Sequence, residues 1–71
     1  MKYFKTHDNK FVYKLYNRTE NNNYEFVEFN TFDYSIRFDY DNIQVFSDCI
    51  EIDKEEYEYL ITEIRNLLRF L

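Results

Sequence analysis

The sequence predicts an α+β fold: an antiparallel, four- or five-stranded meander sheet with one C-terminal helix packed on one face. Three observations lead there. Residues 2–52 are rich in Phe, Tyr, Val and Ile, which favour strands, and short polar clusters of Asn and Asp interrupt them. Residues 54–70 change period, with apolar side chains recurring at helical spacing. A chain of 71 residues has material for one core, so residues 1–71 are read as a single domain.

Strands are expected at about 2–7, 10–18, 24–30, 32–40 and 43–52. The chain contains no Gly and no Pro, so its turns fall to Asn and Asp, which tolerate positive φ best among the remaining residues. Asp8-Asn9 and Asp41-Asn42 suit two-residue hairpin turns, and Asn21-Asn22-Asn23 suits a loop. Such short connections imply that consecutive strands pair. The fourth strand alternates most cleanly: Phe32, Tyr34, Ile36, Phe38 and Tyr40 on one face, Asp33, Ser35, Arg37, Asp39 and Asp41 on the other. In the fifth, Ile43 and Val45 oppose Phe46, Ile50 and Ile52, which calls for a bulge near Ser47-Asp48. Cys49 is expected as a small buried apolar residue of that strand.

The helix is expected over about 54–70. Asp53 is an N-cap with Glu56 three residues on, as in a capping box. Glu55, Glu56 and Glu58 favour the positive end of the helix dipole, and Arg65 and Arg69 the negative end. Tyr57, Leu60, Ile61, Ile64, Leu67, Leu68 and Leu71 form one apolar stripe.

Composition excludes several functions. Without Gly there is no phosphate-cradling loop. A lone Cys49 forms no internal disulfide, and no apolar leader follows Met1, so a cytoplasmic location is expected. His7 beside Asp8 is the sole His–carboxylate neighbour pair, too little for a metal site or for activating Ser35, Ser47 or Cys49, and it reads as a solvated turn. Asp39-Tyr40-Asp41-Asn42 fails as a calcium loop, because Gln44 and Ile50 stand where Gly and Glu are needed. Asn17-Arg18-Thr19 has the form of a glycosylation acceptor but no secretory signal accompanies it. No cofactor, no metal, no catalytic constellation and no membrane contact are expected. Phe, Tyr, Met, Ile, Asn and Lys make up about half of the chain and Arg is the only one of Gly, Ala, Arg and Pro present, which indicates an A/T-rich gene of the kind common in bacteria, phages and mobile elements.

Charge is uneven within a net of −5. Lys2, Lys5, Lys10, Lys14 and Arg18 face Asp8 alone in the first eighteen residues, whereas acids dominate the middle. Two surfaces follow. Apolar side chains fall on both faces of the first three strands, more than one helix can cover, so Tyr3, Tyr13, Tyr16 and Tyr24 are candidates for a partner or dimer interface. Asp33, Asp39 and Asp41, with Glu25, Glu28, Asp48 and Glu51 on neighbouring strands, are candidates for an acidic face; carboxylates spaced about 6.6 Å apart on a strand can imitate a phosphate backbone.

The function expected from these surfaces is that of a small acidic, non-catalytic protein-binding module. Its narrow form is a phage- or mobile-element-encoded inhibitor of the anti-CRISPR or anti-restriction type, a DNA mimic that occludes a host nucleic-acid enzyme. A homodimeric regulatory or structural protein is one alternative. The other is a single-stranded nucleic-acid binder using the basic, aromatic N-terminal hairpin, with Lys14 and Tyr16 on it; an acidic chain makes direct nucleic-acid binding the weaker expectation.

Overall fold

In the computed structural model, which describes residues 1–70, the strand-rich part folds as β1 (Lys2–Lys5), β2 (Phe11–Arg18), β3 (Asn23–Asn30), β4 (Ile36–Asn42) and β5 (Ile50–Ile52). Helices α1 (Lys54–Leu60) and α2 (Thr62–Phe70) follow. The five strands form one antiparallel sheet in the order β4-β3-β2-β1-β5. The meander holds for the first four strands. It fails for the fifth, which pairs with β1 at the opposite edge from β4.

The reason lies between them. The expected strand over 43–52 is replaced by a 3-10 turn, Ile43–Phe46, and a three-residue strand. Asn42 does not close a hairpin; its side chain accepts a hydrogen bond from the Gln44 N–H and caps that turn. The connection then carries Phe46 across the face of the sheet away from the helices. There Phe46 is 4% exposed, packed on Phe4, Phe26 and Tyr13 at ring separations of 5.3, 5.2 and 5.0 Å. Burying these rings favours the crossover over a fourth hairpin. Cys49 accordingly sits in the bend before β5, half-buried against this cluster, and not in a strand.

The other face carries the helices. Tyr3, Val12, Val27 and Phe29 meet Tyr57, Ile61 and Ile64 in a second core cluster. The Asp53 carboxylate accepts from the Glu56 N–H at 2.8 Å, the N-cap that starts α1. Lys5 reaches Glu56 at 2.7 Å and ties β1 to the helix. The expected single helix is two segments, broken at Ile61 with φ −97° and ψ 6°. The Thr62 hydroxyl donates to the Glu58 carbonyl, the acceptor its own N–H would use, and such back-bonding bends helices. Leu71 of the expected apolar stripe lies outside the described residues.

Two more corrections concern turns. The β1–β2 connection spans residues 6–10, with Asn9 alone at positive φ, so Asp8-Asn9 is not a two-residue hairpin. The fourth strand begins at Ile36, not at 32. The Asn30 side chain accepts from the N–H groups of Phe32 and Asp33, and Asp33 accepts from that of Ser35. These bonds curl residues 31–35 into a turn, so Phe32, Asp33 and Tyr34 leave the alternation of the strand.

Candidate functional site

Register assigns each side chain of β4 to a face. Phe38 lies opposite Val27 and Ile36 opposite Phe29, so the even-numbered residues Ile36, Phe38 and Tyr40 share the helix-bearing face. Arg37, Asp39 and Asp41, opposite Glu28, Phe26 and Tyr24, share the crossover face. Helix α1 lies over β1 and β2. Over β3 and β4 the helix-bearing face is left partly open, and there Phe38 is 70% exposed and Tyr40 50%.

A groove of about 410 Å³ occupies this opening. Its floor is Val27, Phe29, Ile36 and Phe38; Tyr57 and Leu68 bound it on the helix side, Lys14 and Tyr16 on β2. A bulge helps to build it. The β2–β3 register shifts between Leu15 and Asn17, which leaves Tyr16 as the extra residue. Tyr16 then meets Phe38 edge-on at 6.5 Å, while Asn17 donates to Glu25 on the same face. Leu68, on the overhanging end of α2, is 52% exposed. The groove is a shallow, mostly apolar hollow open to solvent rather than an enclosed cavity. Another hollow, about 330 Å³, is lined by Thr31, Tyr34, Tyr59, Leu60, Thr62, Glu63 and Ile64, and the Tyr34 hydroxyl donates to Glu63 there.

The tyrosines singled out from the sequence do not share a surface. Tyr3 is buried in the helix-side core, 4.6 Å from the Tyr57 ring. Tyr13 and Tyr24 belong to the crossover face, packed against the Phe46 cluster. Burial pushes the Tyr13 phenol well above its ordinary range. Tyr16 alone stands in the open groove. The aromatic excess on the second face is largely roofed by Phe46, a cover that strand periodicity gave no means of seeing.

The acidic face is also rearranged. Asp33 is in the 31–35 turn, where bonds from Ser35 hold its carboxyl below the usual range. Glu25 points to the helix-bearing face beside Asn17. Glu28, Asp39, Asp41 and Glu51 share the crossover face, with Asp48 in the turn that follows Phe46. They do not form a bare carboxylate row. Arg37 forks onto Glu28 at 3.1 and 3.2 Å, also bonds Asp39, and lies over the Phe26 ring. The Tyr40 N–H and Arg37 together hold the Asp39 carboxyl below its usual range. Glu51 lies 3.8 Å from Lys2. Among the described residues no cation lies within ion-pair distance of Asp41 or Asp48.

The basic N-terminal hairpin distributes its charges likewise. Lys2 and Lys5 face Glu51 and Glu56, Lys10 sits over the rings of Phe11 and Phe32, and Arg18 bonds Asn22. Lys14 is the hairpin cation that lines the groove beside Tyr16 and Phe38. Asp8 accepts from Thr6 and from the Lys10 N–H, bonds that lower its pKa, and it has no hydrogen bond to His7 among the described contacts. Burial, then the nearby Asp48, raises the Cys49 thiol, which opposes thiolate chemistry.

Among the described residues, no group of three or more potential ligands converges on a metal site, and no helix is long and apolar enough to cross a membrane. Sequence reasoning missed the exposure of Phe38, Tyr40 and Leu68, which stand open to solvent along with Phe32, Tyr59 and Phe70 elsewhere on the surface. The available signal was the charge on alternate positions of β4, a pattern common on sheet edges. Comparison with known protein families, curated proteins and solved structures gave no match for this chain.

Proposed function

We propose that this chain is a non-catalytic protein-binding module that acts by occluding a partner's surface, with the groove between α2 and the β3–β4 half of the sheet as its contact. The observation that carries the reading is the groove itself: Tyr16, Phe38 and Leu68 hold an apolar surface open to solvent in a domain too small to leave rings exposed without loss. An aromatic anchor at the centre and a polar rim are what protein contacts use.

The test is site-specific photocrosslinking in the cells that make the protein. A benzophenone side chain at position 68 reports on the groove, and one at position 48 on the crossover face. The expected result is an adduct with a distinct protein at 68, weakened by Tyr16→Ser. Adducts with a second copy alone, or none at either position, would remove the reading.

A narrower form is supported by charge. The net of −5, with Asp41 and Asp48 free of ion pairs among the described residues, suits a basic partner surface such as that of a nucleic-acid enzyme. With A/T-rich coding, this is the phage- or mobile-element-encoded inhibitor. Adducts at position 48, lost with Asp41→Lys or at high salt, would favour it over contact through the groove.

A further inference from the structure

We infer that the free edge of β4 pairs with the same edge of a second copy, antiparallel about a two-fold axis through Phe38, so that two five-stranded sheets become one. This rests on the reading of the chain as a protein-binding module and names one of its partners as itself.

The two edges of the sheet differ. The β5 edge is three residues long. The β4 edge is seven residues long, keeps unbroken register with β3 from Ile36 to Asn42, and has no Pro, no Lys and no bulge. Pro, Lys and bulges are among the devices that usually blunt an edge; charged side chains are another, and Arg37, Asp39 and Asp41 are the charges that a strand pairing here must match. A long, regular edge offers unpaired N–H and C=O groups to another strand.

The charge pattern selects the register. When a strand pairs with its own copy, opposed residues must lie on the same face, so the axis passes through a residue. An axis at Arg37 sets guanidinium against guanidinium. One at Asp39 sets that carboxylate against itself, and one at Tyr40 sets Asp39 against Asp41 twice. An axis at Phe38 sets Arg37 against Asp39 of the second copy, twice, with Phe38 against itself and Ile36 against Tyr40. Only this last register of the four has opposite charges opposed and no like pair, and it also matches apolar with apolar; both contributions favour cross-strand pairing. The contact is isologous and closes on itself. It covers Phe38, the most exposed strand ring, and brings the two grooves together on one side of the joined sheet.

The experiment uses the whole chain carrying Cys49→Ser. Sedimentation between roughly 1 and 100 µM should show a reversible dimer. Adding Phe38→Cys should give a disulfide-linked dimer on mild oxidation, at least ten times faster than Tyr40→Cys. The two residues at 38 oppose each other, whereas those at 40 are offset by four positions, about 13 Å. Without added cysteines, Arg37→Asp and Asp39→Arg should each raise the dissociation constant at least ten-fold, and the double exchange should restore it, with circular dichroism verifying the fold of each. A monomer at every concentration would overturn the inference, as would a dimer that Phe38→Cys does not lock. A monomer that still captures a distinct protein at position 68 would sink this pairing and spare the groove. A dimer without such capture would do the reverse.

Discussion

Tyr57 sits where helix meets sheet, its ring 4.6 Å from Tyr3 and 6.0 Å from Phe29. Burial, more than the neighbouring Tyr3, pushes its phenol up to about 12, whereas an unfolded chain ionises Tyr near 10. A raised folded pKa makes this stabilising term fully present below 10 and lost as pH rises through 12. Base-induced unfolding should therefore begin above pH 10, and Tyr57→Phe should move its midpoint upward while leaving stability at pH 7 nearly unchanged. Near-ultraviolet absorbance and circular dichroism, followed together, check this; a midpoint that Tyr57→Phe leaves in place would contradict it. The carboxyls of Asp8, Asp33 and Asp39 act at the other end of the scale. Their depressed values stabilise above the ordinary carboxylate range and cease to as pH falls below it. At this scale the sequence was informative where chemistry is local. Asn9, Asn21 and Asn22 take positive φ in a chain without Gly, the role expected of asparagine. Tyr34 also takes positive φ, at 62°, which no local rule foresees for a bulky ring. Its hydroxyl is bonded to Glu63, twenty-nine residues away, a contact that secondary-structure reasoning cannot reach.

Among the elements, the cap at Asp53, the four consecutive antiparallel strands and the change to helical period were legible, because each depends on residues a few positions apart. The crossover was not. The alternation in 43–52 is compatible with a strand, and what converts it into a turn and a short strand is the gain when Phe46 meets Phe4 and Phe26, forty-two and twenty residues away in the chain. The same non-local choice decided the candidate surfaces: it roofed the face on which Tyr13 and Tyr24 lie and left the β4 half of the helix face open. The crossover is therefore the element whose loss should cost most. Phe46→Ala removes the ring that contacts three others, and a buried Phe→Ala costs about 3–5 kcal/mol. A domain of this length has total stability of roughly 4–10 kcal/mol. Phe46→Ala should leave the chain largely unfolded or lower its melting temperature by more than 10 °C. Phe46→Leu, which keeps a buried apolar side chain, should remain folded. Thermal melts followed by circular dichroism distinguish these outcomes, and an unaltered melt for Phe46→Ala would show that the crossover does not hold the second core.

For the molecule as a whole, the balance is between an open apolar surface that attracts other chains and a net charge that keeps them apart. The groove and the β4 edge adjoin at Phe38, so copies approaching there meet apolar rings and unpaired backbone groups together. Opposing them is a charge of −5 at pH 7, which vanishes near the isoelectric point of about 4.7. The pairing of Arg37 with Glu28 and Asp39 makes the β4 edge itself less repulsive than its carboxylates suggest, so the remaining protection comes from acids elsewhere on the surface. Solubility should pass through a sharp minimum close to pH 4.7, and the material formed there should be rich in intermolecular strand pairing. Phe38→Lys places a cation at the centre of the exposed edge, where it meets its own copy. This variant has a net charge of −4, closer to zero at pH 7, so a surface governed by charge alone would make it less soluble under neutral conditions. A surface governed by the β4 edge makes it more soluble, with the acid minimum shallower. Light scattering across pH 4 to 7, with infrared spectra of the aggregates, separates the two. Equal or greater aggregation of Phe38→Lys would place the adhesive surface elsewhere on the molecule.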